Sequence, residues 1–145
     1  MRVILSRKGF DSGTGKIASP IIDGKPLSFP IPDEDAPVSY SELATPDGVS
    51  YATLLEQLKA KVHSTDKAHV DPDLRQTIPG IPQWRPTFGQ SGTAQRQLSN
   101  NDITIGDLFL FFGWFRQAEK NRDGQYQYIK GSPDIHLIWG YLQIG

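Results

Sequence analysis

The chain has 145 residues and a formal net charge of −1, a length that fits one domain burying roughly two-thirds of the surface its unfolded form exposes. So even a charge balance excludes the basic footprint that drives nonspecific binding to long nucleic acid, and leaves a nucleotide or a single extruded base open as partner. Cysteine is absent, which excludes disulfides, thiolate nucleophiles and Cys-ligated zinc and fits a reducing, cytoplasmic setting.

No stretch approaches the eighteen or so apolar residues of a membrane span, so no membrane is expected as partner. Gly (14) and Pro (11) are plentiful enough to place turns and loops around a small regular core. Arg2 to Ser6 reads as a first strand, followed by a polar, glycine-rich loop from Arg7 to Lys16. The loop is not a Walker motif, because Phe10 occupies the first glycine position and Ile17 follows the lysine. Two readings stay open: an anion nest of Gly9, Gly13 and Gly15 amides beside Arg7 and Lys8, or a plain turn with solvated charges. Asp11 is a general base or magnesium ligand if the loop folds over the sheet end, and an Asx-turn residue if it does not.

Prolines at 20, 26, 30, 32 and 37 make the next segment mainly extended connection, with Leu27 to Ile31 an edge strand at most. Tyr51, Leu54, Leu55, Leu58 and Val62 follow helical spacing behind a capping Ser50, which predicts a helix over 51–62. His63 to Pro86 has no period and holds Pro72, Pro79, Pro82 and Pro86, the pattern of a long functional loop. Within it His69, Asp71 and Asp73 alternate, so an extended backbone turns all three to one side, as a metal site or an acid/base pair needs; a turn or helix start explains the same residues, and no metal is assigned. Ser91 caps a second, shorter helix through Leu98, and Gln90 before it either reads a base edge or merely caps.

Gly106 to Arg116 is the most telling stretch: a Phe-rich apolar run opened by Gly-Asp and closed by Gly113, Trp114 and Arg116. The run reads as a strand buried on both faces. Gly113 marks a bulge or the close approach of another backbone, and Trp114 with Arg116 offers a stacking plane and a bidentate cation on one strand face. Trp114 capping the core beside a solvated Arg116 is the competing reading. Asn121 to Gly124 carries an Asp-Gly hairpin signal, and strands near Gln125–Ile129 and over Ile135–Ile144 complete an antiparallel meander. His136 either joins the His69 group or is a half-buried strand residue. No serine has a partner pattern around it that defends a hydrolase triad.

Ile4 to Asp11, His69 to Leu74, Phe88-Gly89-Gln90 and Gly106 to Arg116 together resemble the third nucleotide modification associated domain family, described as proteins of DNA base hypermodification in phage and bacterial systems. The resemblance covers nearly the whole chain. It implies an enzymatic activity of unspecified reaction and cofactor, with Lys8, Asp11, His69 and Asp71 as catalytic candidates. Arg7, Gln90, Trp114 and Arg116 are the implied substrate-binding set. Family members continue past Gly145, so a C-terminally truncated single domain over 1–145 is expected. The Ile105-Gly106-Asp107 entry and the returning Ile138-to-Ile144 strand are also similar to PUA-like, partly open barrels that hold single bases.

The expected fold is therefore α+β: a predominantly antiparallel sheet with two or three short helices and long loops. An enzyme acting on a nucleotide or extruded base ranks ahead of a non-catalytic module for a modified base, which would need Trp114, Gln90 and Arg116 but no titratable pair. A scaffold whose aromatic strand serves only folding or oligomerisation ranks last.

Overall fold

The computed structural model describes residues 1–70, 96, 98 and 100–145. In chain order these form β1 (Val3–Arg7), β2 (Ser19–Ile22), β3 (Lys25–Pro26), a 3-10 turn (Tyr40–Glu42), α1 (Tyr51–Gln57), β4 (Leu108–Lys120), β5 (Tyr126–Tyr128) and β6 (Ile135–Gln143).

The apolar run becomes β4, the strand on which the sheet is built. β1 lies parallel to its first half, from Val3 opposite Leu108 to Arg7 opposite Phe112. β2 lies parallel to its second half, from Ser19 opposite Phe115 to Ile22 opposite Ala118. Because β6 and β5 pair with the same two halves in antiparallel fashion, β1 and β2 share one edge of β4, and β6 and β5 share the other. The chain thus runs along one edge, leaves it over Lys8–Ala18, and rejoins it in the same direction. Only Gly113 and Trp114 of β4 lie opposite that excursion.

This topology corrects the expected predominantly antiparallel, PUA-like sheet: the sheet is mixed and does not close into a barrel. The antiparallel part, β4 with β5 and β6, follows from short connections, and the Asn121–Gly124 turn forms as its sequence predicts, with the Asn121 amide donating to the Gln125 carbonyl at 2.8 Å. The parallel part joins strands about a hundred residues apart, and no local pattern encodes such a pairing. Of the helices, α1 alone is described in full; the expected one from Ser91 lies almost entirely outside the described residues.

α1 begins where expected, with the Ser50 side chain accepting from the Ala52 amide at 3.2 Å. It stops short of Val62 because Lys59 turns left-handed, φ 63°. The Lys59 amide then donates to Glu56 O and the Ala60 amide to Leu55 O, the paired bonds of a Schellman ending. Tyr51, Leu54, Leu55 and Leu58 pack with Phe10, Phe29, Tyr40 and Ala118 into the main core. Phe10 and Phe29 meet at 5.3 Å between ring centres, so the loop that leaves β1 is pinned by its own phenylalanine.

β4 is buried on one face only, which corrects the expectation of two. Phe109, Phe111 and Phe115 are fully enclosed, whereas Leu108, Leu110, Phe112, Trp114 and Arg116 on the alternate face are half-exposed. Gly113 is required by the excursion: a Cβ there would lie 2.7 Å from the Lys8 carbonyl oxygen. Of the two roles expected for Gly113, the close approach is the one it fills: it pairs regularly with Leu137, and the register shift nearby, between Phe111 and Phe112, leaves its extra residue, Trp139, on β6.

At the opening of β4, Asp107 is buried and accepts from the Arg2 and Thr104 amides at 2.8 and 3.0 Å and from the Arg2 guanidinium at 2.9 Å. The Thr104 and Arg2 amide bonds, then the Arg2 charge, lower its carboxyl to about 2. A folded value below the unfolded one means the carboxylate stabilises the fold above pH ~4 and that this contribution is lost as pH falls toward 2. Asp107→Asn is therefore expected to lower the Tm by several degrees at pH 7 and to flatten its fall between pH 4 and 2; thermal melts across that range test it.

Candidate functional site

The break in the β1–β2 edge places the site. Arg7 is the last residue of β1 and lies in register with Phe112, so its side chain leaves the sheet on the face that carries Phe112 and Trp114. From the opposite edge, His136 of β6 lies directly across from Trp114. Ser12 comes from the excursion, and Asp134 and Ile135 from the start of β6. These residues line one open cavity of about 200 Å³.

The excursion has a defined shape. The Asp11 carboxylate accepts from the Gly13 and Thr14 amides at 2.8 and 2.6 Å, and the Asp11 carbonyl from the Lys16 amide at 3.1 Å. Gly15, at φ 73°, passes flat against the Phe10 ring. Together these bonds make an Asx turn that holds Ser12 over the cavity.

Charge in the wall is unequally committed. The Arg116 Nε donates to Asp134 at 2.7 Å, and its guanidinium carbon stands 5.4 Å from the centre of the Tyr128 ring. That bond, with a smaller one from the Trp114 indole, holds the Asp134 carboxyl below its ordinary value. Arg7 is exposed and, among the described residues, has no ion-pair partner. The cavity mouth therefore carries one uncompensated positive charge beside an indole, a combination suited to an anionic, planar ligand.

Of the residues singled out from sequence, Arg7 and Trp114 share this cavity. Arg116 supports its wall through Asp134. Lys8 is half-buried behind it, with its amide donating to Phe112 O at 2.8 Å, and Asp11 shapes the loop. His69 is not part of the cavity lining: its Nδ1 lies 2.9 Å from the Asp33 carboxylate, beside the bridge between Pro32 and Ala68. The hydrogen bond from His69 is the main reason the Asp33 carboxyl falls below its ordinary value. Asp71, the partner expected for His69, and Gln90 lie outside the described residues. Among the described residues no three His, Asp or Glu side chains gather as a metal site.

Ser12, Asp134 and Ile135 were not legible as site residues, and His136 was read only as a metal group or a strand residue. Its parity was the usable signal, since His136 and Ile138 alternate on the strand face that returns beside Trp114. A larger cavity, about 820 Å³, opens at the far end of β4 between Tyr51, Leu27 and Tyr126. Its rim carries Asp23, Asp47 and Glu119 against Lys25 and Lys120, an excess of negative charge that disfavours a phosphate. No helix of the described residues is long and apolar enough to cross a membrane.

Residues 2–145 match the family described as nucleotide modification associated domain 3. Among curated proteins and solved structures none matches. With all but the first residue inside the match, the chain belongs to the nucleotide modification associated domain 3 family, and that membership ties it to nucleotide modification.

Proposed function

We propose that the protein holds one nucleotide, free or extruded from DNA, in the cavity between the Arg7–Ser12 loop and Trp114, as the recognition step of a nucleotide-modification reaction. The observation that carries this reading is the convergence of Arg7, which has no ion-pair partner among the described residues, with Trp114 and His136 on one open sheet face. Trp114 stacks the base, Arg7 meets the phosphate and the Ser12 hydroxyl lies within the lining to take a hydrogen bond. A volume of about 200 Å³ is below the roughly 300–1,000 Å³ of drug-sized sites and suits a single base rather than a dinucleotide.

Calorimetric titration with deoxynucleoside monophosphates and with the matching nucleosides tests it. Arg7→Ala is expected to weaken the monophosphate about tenfold, the magnitude of one charge-assisted contact at a partly exposed site, and to leave the nucleoside within about twofold. Equal losses for both ligands, or no binding of either by the native chain, contradict the reading.

A further inference from the structure

The face of the sheet that carries Trp114 continues well beyond the cavity, and it is apolar where water meets it. Register places Leu5 and Tyr141 on either side of Leu110, and Ile138 beside Phe112. Tyr141 is 75% exposed, Leu5 64%, Ile138 55% and Val3 54%. Three adjacent strands thus present a contiguous apolar row to solvent, and contiguous rows of this kind mark interaction surfaces.

The charge on the same strands selects the partner. The chain holds 16 Asp and Glu, yet none falls within Val3–Arg7, Ile135–Gln143 or the facing part of β4 up to Arg116. At the rim, Asp134 is bound by Arg116, the Asp11 carboxylate accepts from the Gly13 and Thr14 amides, and Asp107 is turned inward onto Arg2. An apolar, partly aromatic surface with the Arg7 cation at one end and no carboxylate on the facing parts of its three strands complements a chain of stackable bases joined by phosphates. It does not complement a mixed-charge protein surface.

We propose that this face is a track for single-stranded DNA, carrying the nucleotides that flank the one held at Trp114; the proposal rests on the nucleotide reading of the cavity and extends it to a polymer substrate. Tyr141 and Phe112 supply stacking planes along the track, and Leu5, Leu110 and Ile138 cover the sugars. A duplex does not fit, because its base faces are already stacked on one another and cannot meet Tyr141 and Phe112.

Fluorescence anisotropy with 5′-labelled oligothymidylates of one to twelve nucleotides tests the track, with stability of each variant checked by thermal melt. Affinity is expected to rise with length over the first four to six nucleotides, on the order of the site size of small single-strand binders. Tyr141→Ala and Leu5→Asp, both at exposed positions, are expected to weaken the longer oligomers about tenfold and leave the mononucleotide within about twofold. Length-independent affinity with intact mononucleotide binding overturns the track alone. Oligomer binding that survives both substitutions overturns it too, as does a dimer that Tyr141→Ala dissolves. Loss of mononucleotide binding in the native chain with length-dependent oligomer binding retained would instead overturn the cavity reading and leave the track standing.

Discussion

Gly15→Ala is expected to lower the stability of the fold by about 3 kcal/mol, from two independent causes. Gly15 sits at φ 73°, where an L side chain costs about 1 kcal/mol or more. Its Cβ would also stand 2.3 Å from the Phe10 ring. That ring is enclosed and packed against Phe29 and Tyr40, so it has nowhere to move; overpacking of this kind adds roughly 1–3 kcal/mol. Against the roughly 5–15 kcal/mol that holds a domain together, the loss is large. Denaturant melts measure it, and Gly24→Ala is the internal control. Gly24 has a similar φ of 74° with nothing within 4 Å of its Cβ, so only the backbone part of the penalty applies. Equal effects at the two glycines would show that the loop does not rest on Phe10.

The second large effect concerns binding. Trp114→Ala is expected to raise the Kd for a deoxynucleoside monophosphate about 30-fold, within the roughly 1–3 kcal/mol that stacking a base on an aromatic ring contributes. Trp114→Phe keeps a π face and is expected to recover most of that loss. Because Trp114 lies on the half-exposed face of β4, neither change is expected to unfold the protein, and circular dichroism checks this. A Trp114→Ala protein that binds as the native one does would remove the indole from the site.

Features whose partners are close in sequence are legible in it. Ser50 capped α1, Asn121–Gly124 closed a hairpin, and the Phe-rich run became the main strand, because each depends on local torsions or on period. α1 was read too long because Leu58 and Val62 keep the helical spacing, while Lys59 adopts a left-handed turn that usually announces itself as glycine. The sheet was read as antiparallel because hairpins are visible in sequence, whereas the pairing of β1 and β2 with β4 is a long-range event.

The site divides along the same line. Arg7 and Trp114 stand out as residue types, so both were legible. Ser12 and Asp134 are unremarkable in sequence and enter the site only because the β1–β2 edge opens opposite Gly113 and Trp114. Gly113 was the one residue whose sequence signal pointed at that opening, through its need for a close backbone neighbour; the neighbour is the Lys8 carbonyl.

The Arg7–Trp114 cavity and the larger one at the far end of β4 both contain aromatic side chains, Trp114 in the first and Tyr51 with Tyr126 in the second, so a photoreactive base distinguishes them directly. Irradiating the protein with 5-iodo-deoxyuridine monophosphate and mapping the adduct by mass spectrometry is expected to place it on Trp114 or His136. An adduct on Tyr51 or Tyr126, or none at saturating ligand, would contradict the assignment of the nucleotide to the Arg7–Trp114 cavity.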